Sequence, residues 1–278
     1  MVKSMRIGIP KERNNSETRV GLVPVSIPKL LKLGFEVIIE AGAGEKSGYL
    51  DSVYLEKGAK TATFEEVMDS ELVASIDVPD YKVMKKGQML ACIADPFRNL
   101  EQTKEIIDAG ITLLSLEVIP RRLSKGQSMD VNSSQDNLSG YKAALMGSQH
   151  IAKMVPMMMT SAGTVRPAKF IIQGAAVAGL QAIATAKRLG AAVQAIDVRL
   201  AAKQDTESLG AKFIDVPGWK DAESSSGHAS LFTDKGLQDA FDNALMESVK
   251  DADVVITTAR LFGANAPKLF FGKENNDK

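Results

Sequence analysis

The sequence predicts an α/β protein whose parallel sheets are flanked by helices, divided into two domains. Three observations predict it. Short apolar runs alternate with helical patterns along both halves of the chain, and strand–helix–strand at this spacing means parallel strands joined by crossover helices. The 278 residues correspond to about two domains at roughly 150 residues each. Between Ile119 and Asn137 the pattern breaks: PRRLSKGQSMDVNSSQDN is polar, charged and rich in turn formers. The domains are therefore read as 1–137 and 138–278, with a helical pattern from Leu138 to Val155 as the link.

In the first half, Arg6 to Ile9 reads as a strand ended by Pro10. Ser26 to Leu33 reads as a short helix, with Ser26 as its cap, Pro28 in the first turn and Gly34 after it. Phe35 to Glu40 is a strand rich in Val and Ile, and Ala41 to Gly48 a Gly-rich loop. Thr63-Phe64-Glu65-Glu66 has the form of a capping box opening another helix. Leu72 to Ile76 and Met89 to Ala94 read as strands. Leu100 to Ala109 reads as a helix stopped by Gly110, and Ile111 to Leu116 as the next strand.

In the second half, Lys169 to Gln173 is a strand, Val177 to Leu189 a helix and Ala192 to Asp197 a strand. Ala201 to Leu209 is a helix and Lys212 to Val216 a strand. Trp219 to Lys235 reads as a loop around Ser224-Ser225-Ser226-Gly227. Leu237 to Lys250 is a helix and Asp253 to Thr258 a strand. This is the order of a doubly wound fold. Four strands of a usual six are present, so this domain is read as incomplete at its C-terminal end.

Composition narrows the function. Lys+Arg and Asp+Glu both number 34, a formal net charge of zero. That balance argues against a broad nucleic-acid-binding surface. An apolar fraction of 45% with 24% charged residues suits a folded globular chain rather than a disordered one. One cysteine, Cys92, excludes an internal disulfide framework and a Cys-based zinc site, and it suits a reducing compartment. His150 and His228 are the two histidines, too few for a His-rich metal site. No run approaches the ~18 apolar residues that would span a bilayer, and the opening has no secretory apolar core, so the chain is read as soluble. The Met157-Met158-Met159 run reads as core or domain-interface packing, and Cys92, in an apolar strand, as inert.

The chemistry is concentrated at Gly174-Ala175-Ala176-Val177-Ala178-Gly179, between a strand and a helix. The spacing is that of G-x-G-x-x-G, with Ala176 at the middle glycine. In that motif one glycine makes the tight turn, the next admits the pyrophosphate to the backbone and the last permits close helix–strand packing. The helix N-terminus faces the phosphate charge. Asp197 ends the following strand, near the ~20-residue offset of the acid that holds the adenosine ribose. Its charge favours NAD(H) over NADP(H) by repelling a 2′-phosphate, and Arg199 beside it weakens that preference. A solvated strand-end acid and glycines kept for packing are the plain alternatives.

KMVPMMMTSAGTVRPAKFIIQGAAVAGLQAIATAKRLGAAV, then DVR, ESLGAKF and DADVVITTA, closely resembles the soluble NAD(H)-binding component of proton-translocating nicotinamide nucleotide transhydrogenases. The opening GIPKERNNSETRVGLVP is shared with the related alanine dehydrogenases. The resemblance covers nearly the whole chain. It implies a second Rossmann-like fold in the first domain and a homodimer that binds NAD(H) in the cleft between its domains. Hydride exchange would occur with NADP(H) on a separate partner domain, coupled to proton movement by a membrane domain. Such a component is cytoplasmic and peripheral to the inner membrane through its partners.

The resemblance also implies roles for a polar loop, Pro120 to Gln135. There Arg122, Gln127, Asp130 and Ser133 stand at positions that hold and orient the nicotinamide, its ribose and the pyrophosphate. Hydride transfer between two nicotinamides needs no protein acid or base, so positioning is the catalytic lever. Gly174, Ala176, Val177, Ala178, Gly179, Asp197, Arg199, Thr258 and Ala259 are the expected cofactor-binding residues.

Departures are Ala176, His228 where the family's mobile loop has a Tyr, and Thr257-Thr258-Ala259-Arg260-Leu261-Phe262-Gly263 in place of TTALIPG. An alanine-type dehydrogenase is a second reading, but Ser75 and Ile93 stand roughly where its substrate Lys and catalytic His belong. Arg19 resembles that enzyme's carboxylate-binding residue and is read here as structural. A truncated, inactive nucleotide-binding module is the third reading.

Overall fold

The computed structural model describes residues 4–119, 124–216, 218, 234–259 and 266. The chain divides into two compact units, Met1–Val131 and Asn132–Lys278.

The first unit is built on β1 (Arg6–Ile9), α1 (Ile27–Lys32), β2 (Glu36–Glu40), α2 (Asp51–Glu56), β3 (Lys60–Ala62), α3 (Phe64–Met68), β4 (Leu72–Ala74), β5 (Met89–Cys92), α4 (Leu100–Asp108), β6 (Thr112–Ser115) and a short α5 (Ser124–Gln127). Its strands, six among the described residues, lie in the order β3-β2-β1-β4-β5-β6, and every pairing is parallel. That is a doubly wound sheet whose order reverses between β1 and β4. Ile9, Ile27, Val37, Ile39 and Tyr54 form the core beside one half of the sheet, and Met68, Val73, Leu90, Cys92 and Ile106 beside the other.

The capping box is present: the Thr63 hydroxyl accepts from Glu66 N at 3.3 Å and the Glu66 carboxylate accepts from Thr63 N at 2.8 Å. Ser26 is a correction. Its side chain makes no capping bond, because the chain enters α1 through a 3₁₀ turn at Pro24–Ser26 with Ser26 itself helical. Two elements lack a sequence signal. In α2 only Tyr54 is buried, and β3 is a polar edge strand, so neither shows an apolar period. β4 stops at Ala74, short of the expected Ile76, where the amides of Ile76 and Asp77 turn to the Glu12 carboxylate.

The second unit holds α6 (Val131–His150), β7 (Met158–Thr160), β8 (Gly163–Val165), β9 (Lys169–Gln173), α7 (Val177–Arg188), β10 (Ala192–Ile196), α8 (Ala201–Ser208), β11 (Lys212–Phe213), α9 (Lys235–Val249) and β12 (Val254–Thr257). The sheet order is β11-β10-β9-β12, all parallel. It reverses between β9 and β12. Phe170 and Ile172 project to one face, against Ala144, Ala182, Ile183 and Ala186. Ile171 projects to the other, against Ile196, Phe241 and Leu245. Each buried large side chain contributes about 1.5–3 kcal/mol.

Helix α6 starts seven residues before the apolar pattern does and ends at His150 rather than Val155. Only Gly140 and Ala144 are buried in it, so VNSSQDN carries no periodic signal. The Met run is not core. Met157, Met158 and Met159 are 58%, 38% and 79% exposed, and Met158 and Met159 lie in an antiparallel hairpin, β7–β8. Helix α9 begins two residues early because the Asp234 carboxylate caps it, accepting from Leu237 N at 3.2 Å. Among the described residues no helix is long and apolar enough to cross a membrane.

Candidate functional site

The turn after β9 is held from both neighbouring strands. Gly174 has φ +92°, and a Cβ there would lie 2.6 Å from Thr258 Oγ1. Both facts require glycine. A Cβ on Gly179 would lie 1.7 Å from the carbonyl oxygen of Gly174, so α7 starts in direct backbone contact with the turn. The Thr258 hydroxyl, just past β12, donates to the Gly174 carbonyl at 2.9 Å. From the β10 side, Ala175 N donates to Asp197 Oδ2 at 2.6 Å.

Ala176 is the N-cap of α7. Its backbone is extended, with φ −86° and ψ −163°, and it supplies no side-chain cap to the helix. The amides of a first helical turn have no partners within their own helix and attract negative charge. Val177 and Ala178 open that turn, Ala176 is exposed and Gly179 is buried. Ala259 follows Thr258 and is half-buried.

Asp197 is not a solvated acid. It is 4% exposed, and four donors converge on it. Oδ1 accepts from Arg199 N at 2.8 Å and Arg199 Nε at 3.0 Å, and Oδ2 from Ala175 N and from Arg199 Nη2 at 3.1 Å.

One contributor is not evident from the glycine motif. A Cβ on Gly140 would lie 1.9 Å from the carbonyl oxygen of Ala178, so α6 touches the first turn of α7 through that glycine. Asn137 Nδ2 donates to Gln181 Oε1 at 3.3 Å along the same contact. The available sequence signal is an isolated glycine inside a helical pattern, which marks close approach.

The polar loop divides between units. Gln127 ends α5 and is exposed, Asp130 precedes α6, and Ser133 lies in the first turn of α6. Gln127 and Asp130 belong to the first unit and Ser133 to the second. Arg122, His228, the Ser224–Gly227 run and Arg260 to Gly263 lie outside the described residues.

In the first unit the reversal point is filled from within. Glu12, beyond β1, is buried, and its carboxylate accepts from Ile76 N at 2.6 Å and Asp77 N at 3.2 Å, beyond β4. Burial pushes its pKa up, the two backbone hydrogen bonds oppose that rise, and nearby Asp77 and Glu17 add to it. Arg19 donates through Nε and Nη2 to the Glu17 carboxylate at 2.8 and 2.6 Å. Ser75 is buried, its hydroxyl donating to the Asp77 carbonyl at 2.7 Å. Burial pushes the Cys92 thiol up to about 12.

Residues 8–139 match the alanine dehydrogenase/PNT N-terminal domain and residues 143–274 the corresponding C-terminal domain. The chain is 41% identical to an NAD(P) transhydrogenase alpha-subunit chain of Rhodospirillum rubrum, over 95% of this chain and 72% of that protein. Among solved structures, transhydrogenase from Sinorhizobium meliloti superimposes with a TM-score of 0.84 at 39% identity, covering 95% of this chain and 72% of the other. An L-alanine dehydrogenase superimposes with a TM-score of 0.71 at 25% identity, over 90% of this chain and 65% of the other. With both halves matched in chain order and the transhydrogenase likeness the stronger, the chain belongs to the alanine dehydrogenase/PNT family, beside the NAD(P) transhydrogenase alpha subunits.

Proposed function

We propose that this chain is the NAD(H)-binding component of a nicotinamide nucleotide transhydrogenase. It exchanges hydride with NADP(H) carried by a partner domain or subunit, and membrane-spanning partners couple the exchange to proton translocation. The observation that carries the reading is the turn at Gly174 to Gly179. Its glycines leave no room for a Cβ, and the N-cap of α7 offers no side-chain cap. That is a phosphate-accepting helix start at the reversal point of a parallel sheet. Gly174, Ala176, Val177, Ala178 and Gly179 would take the pyrophosphate, with Thr258 and Ala259 on the β12 side. Asp197 and Arg199 would take the adenosine ribose.

The bound dinucleotide supplies the hydride. The protein's task is to hold its ring in place, which we assign to Arg122, Gln127, Asp130 and Ser133. A Gln side chain offers both a donor and an acceptor to a carboxamide. We read the active form as a homodimer at the cytoplasmic face of the inner membrane, held there by its partners. The exposed hairpin β7–β8, with Met157 and Met159 bare, supports the pairing of two copies.

The test is hydride transfer from NADH to an NADP analogue with the NADP-binding and membrane partners supplied. Transfer is expected from the unmodified chain. Gln127→Asn moves the polar head by one methylene, and a misplacement of about 1 Å can cost on the order of a hundredfold in rate. NADH affinity, read by fluorescence titration, should change little. Intact transfer in Gln127→Asn removes that loop from the nicotinamide. A lack of transfer in the unmodified chain favours the inactive-module reading, which Ala176 supports.

A further inference from the structure

We infer that Arg199 gates the adenosine end of the site: its guanidinium must leave Asp197 before that carboxylate takes the ribose, so Arg199 sets the selectivity between NADH and NADPH. The inference rests on the nucleotide-binding reading above. A carboxylate offers about four lone-pair positions, and on Asp197 all four are occupied. Two donors are backbone amides, those of Ala175 and Arg199, fixed by the turn and the strand end. The other two are Nε and Nη2 of the Arg199 side chain, at 3.0 and 3.1 Å. The pair lies in a dry place, with side-chain exposures of 17% for Arg199 and 4% for Asp197.

A pair of vicinal ribose hydroxyls needs acceptor positions on this carboxylate. The amides cannot yield without dismantling the turn that accepts the phosphates, since Ala175 N belongs to it. The guanidinium sits on a rotatable stem and can yield. Binding of NADH therefore selects the arrangement with Arg199 swung out, and the measured affinity is reduced by the fraction of molecules not in that state. The same side chain has a second consequence. Swung out, it stands beside the ribose as a cation, and a 2′-phosphate would pair with it, offsetting the repulsion from Asp197. Arg199 thus weakens NADH binding and strengthens NADPH binding.

Two substitutions separate these effects. Arg199→Met keeps an unbranched stem and removes the donors, while both backbone amides still hold Asp197. Arg199→Lys keeps the positive charge but loses the fork that bridges both carboxylate oxygens. Affinities for NADH and NADPH are read by nucleotide fluorescence on the full chain, with thermal unfolding confirming the fold. Arg199→Met should bind NADH about three- to tenfold more tightly and NADPH more weakly, the magnitude expected from freeing a competent state that is a minor fraction. Arg199→Lys should bind NADH more tightly while keeping most of the NADPH affinity. Unchanged or weaker NADH binding in both variants overturns the gate and leaves the nucleotide site standing. Failure of the unmodified chain to bind either nucleotide overturns the site and the gate together.

Discussion

Ala176 begins α7 from an ordinary extended backbone, so its methyl group causes no strain in the chain. Its effect is on whatever approaches the helix start. Ala176→Gly should tighten NADH binding, because a Cβ at a close backbone approach holds the pyrophosphate away from the amides. Stability should shift by no more than about 1 kcal/mol, since glycine is accepted at an N-cap. Unchanged affinity in a fluorescence titration would show that the turn already accommodates the methyl. Glu12 makes a prediction in pH. Burial raises its pKa in the fold, so the folded chain holds that proton more tightly than the unfolded chain does. The stability this contributes is complete below the ordinary carboxylate range and is lost as pH rises through the raised value. Glu12→Gln should remove that slope from urea midpoints measured between acid and neutral pH. At neutral pH it should also lose about 1–3 kcal/mol, because an amide donor would face Asp77 N. Identical slopes in the two proteins would sink the assignment.

Helices α6 and α7 meet at a glycine, and at the level of elements that contact supports the site. Gly140→Ala places a methyl 1.9 Å from the Ala178 carbonyl oxygen, so one helix must move. Overpacking of this kind destabilises by about 1–3 kcal/mol, and here it also displaces the first turn of α7. NADH affinity should fall together with the unfolding temperature, whereas Ser139→Ala, one residue away and exposed, should leave both near their starting values. If Gly140→Ala binds NADH normally, α6 does not position that turn. The elements legible in sequence were those that bury many apolar side chains. β2 and β9 show as short continuous apolar runs because Val37, Ile38, Ile39, Phe170, Ile171 and Ile172 are buried, and α7 shows as a helical period because Ala182, Ile183 and Ala186 are. The elements missed, α2, β3, the start of α6 and the hairpin β7–β8, bury little and leave no period to find.

The whole molecule carries two doubly wound sheets with opposite treatment of their reversal points. The second presents a glycine turn there, while the first closes the gap with Glu12. The first 149 residues contain no histidine. Ser75 is buried against a carbonyl, and the two histidines of the chain, His150 and His228, both lie in the second half. L-alanine should therefore drive no NAD reduction by the purified chain. Steady reduction in a spectrophotometric assay would return the assignment to the dehydrogenases.

The sequence by itself determined the fold class, the alternation of strand and helix in each half, the capping box at Thr63 and the glycine turn with Asp197 at the end of the following strand. Those features are local: apolar period, turn chemistry and spacing fix them before the chain is assembled. Only the tertiary structure decided that Asp197 is already saturated by Ala175 and Arg199, that Gly140 presses on Ala178, that Met158 and Met159 lie exposed in a hairpin and that Glu12 fills the first reversal point. Each depends on groups far apart in the chain or on burial, and burial is a property of the assembled surface that no local pattern records.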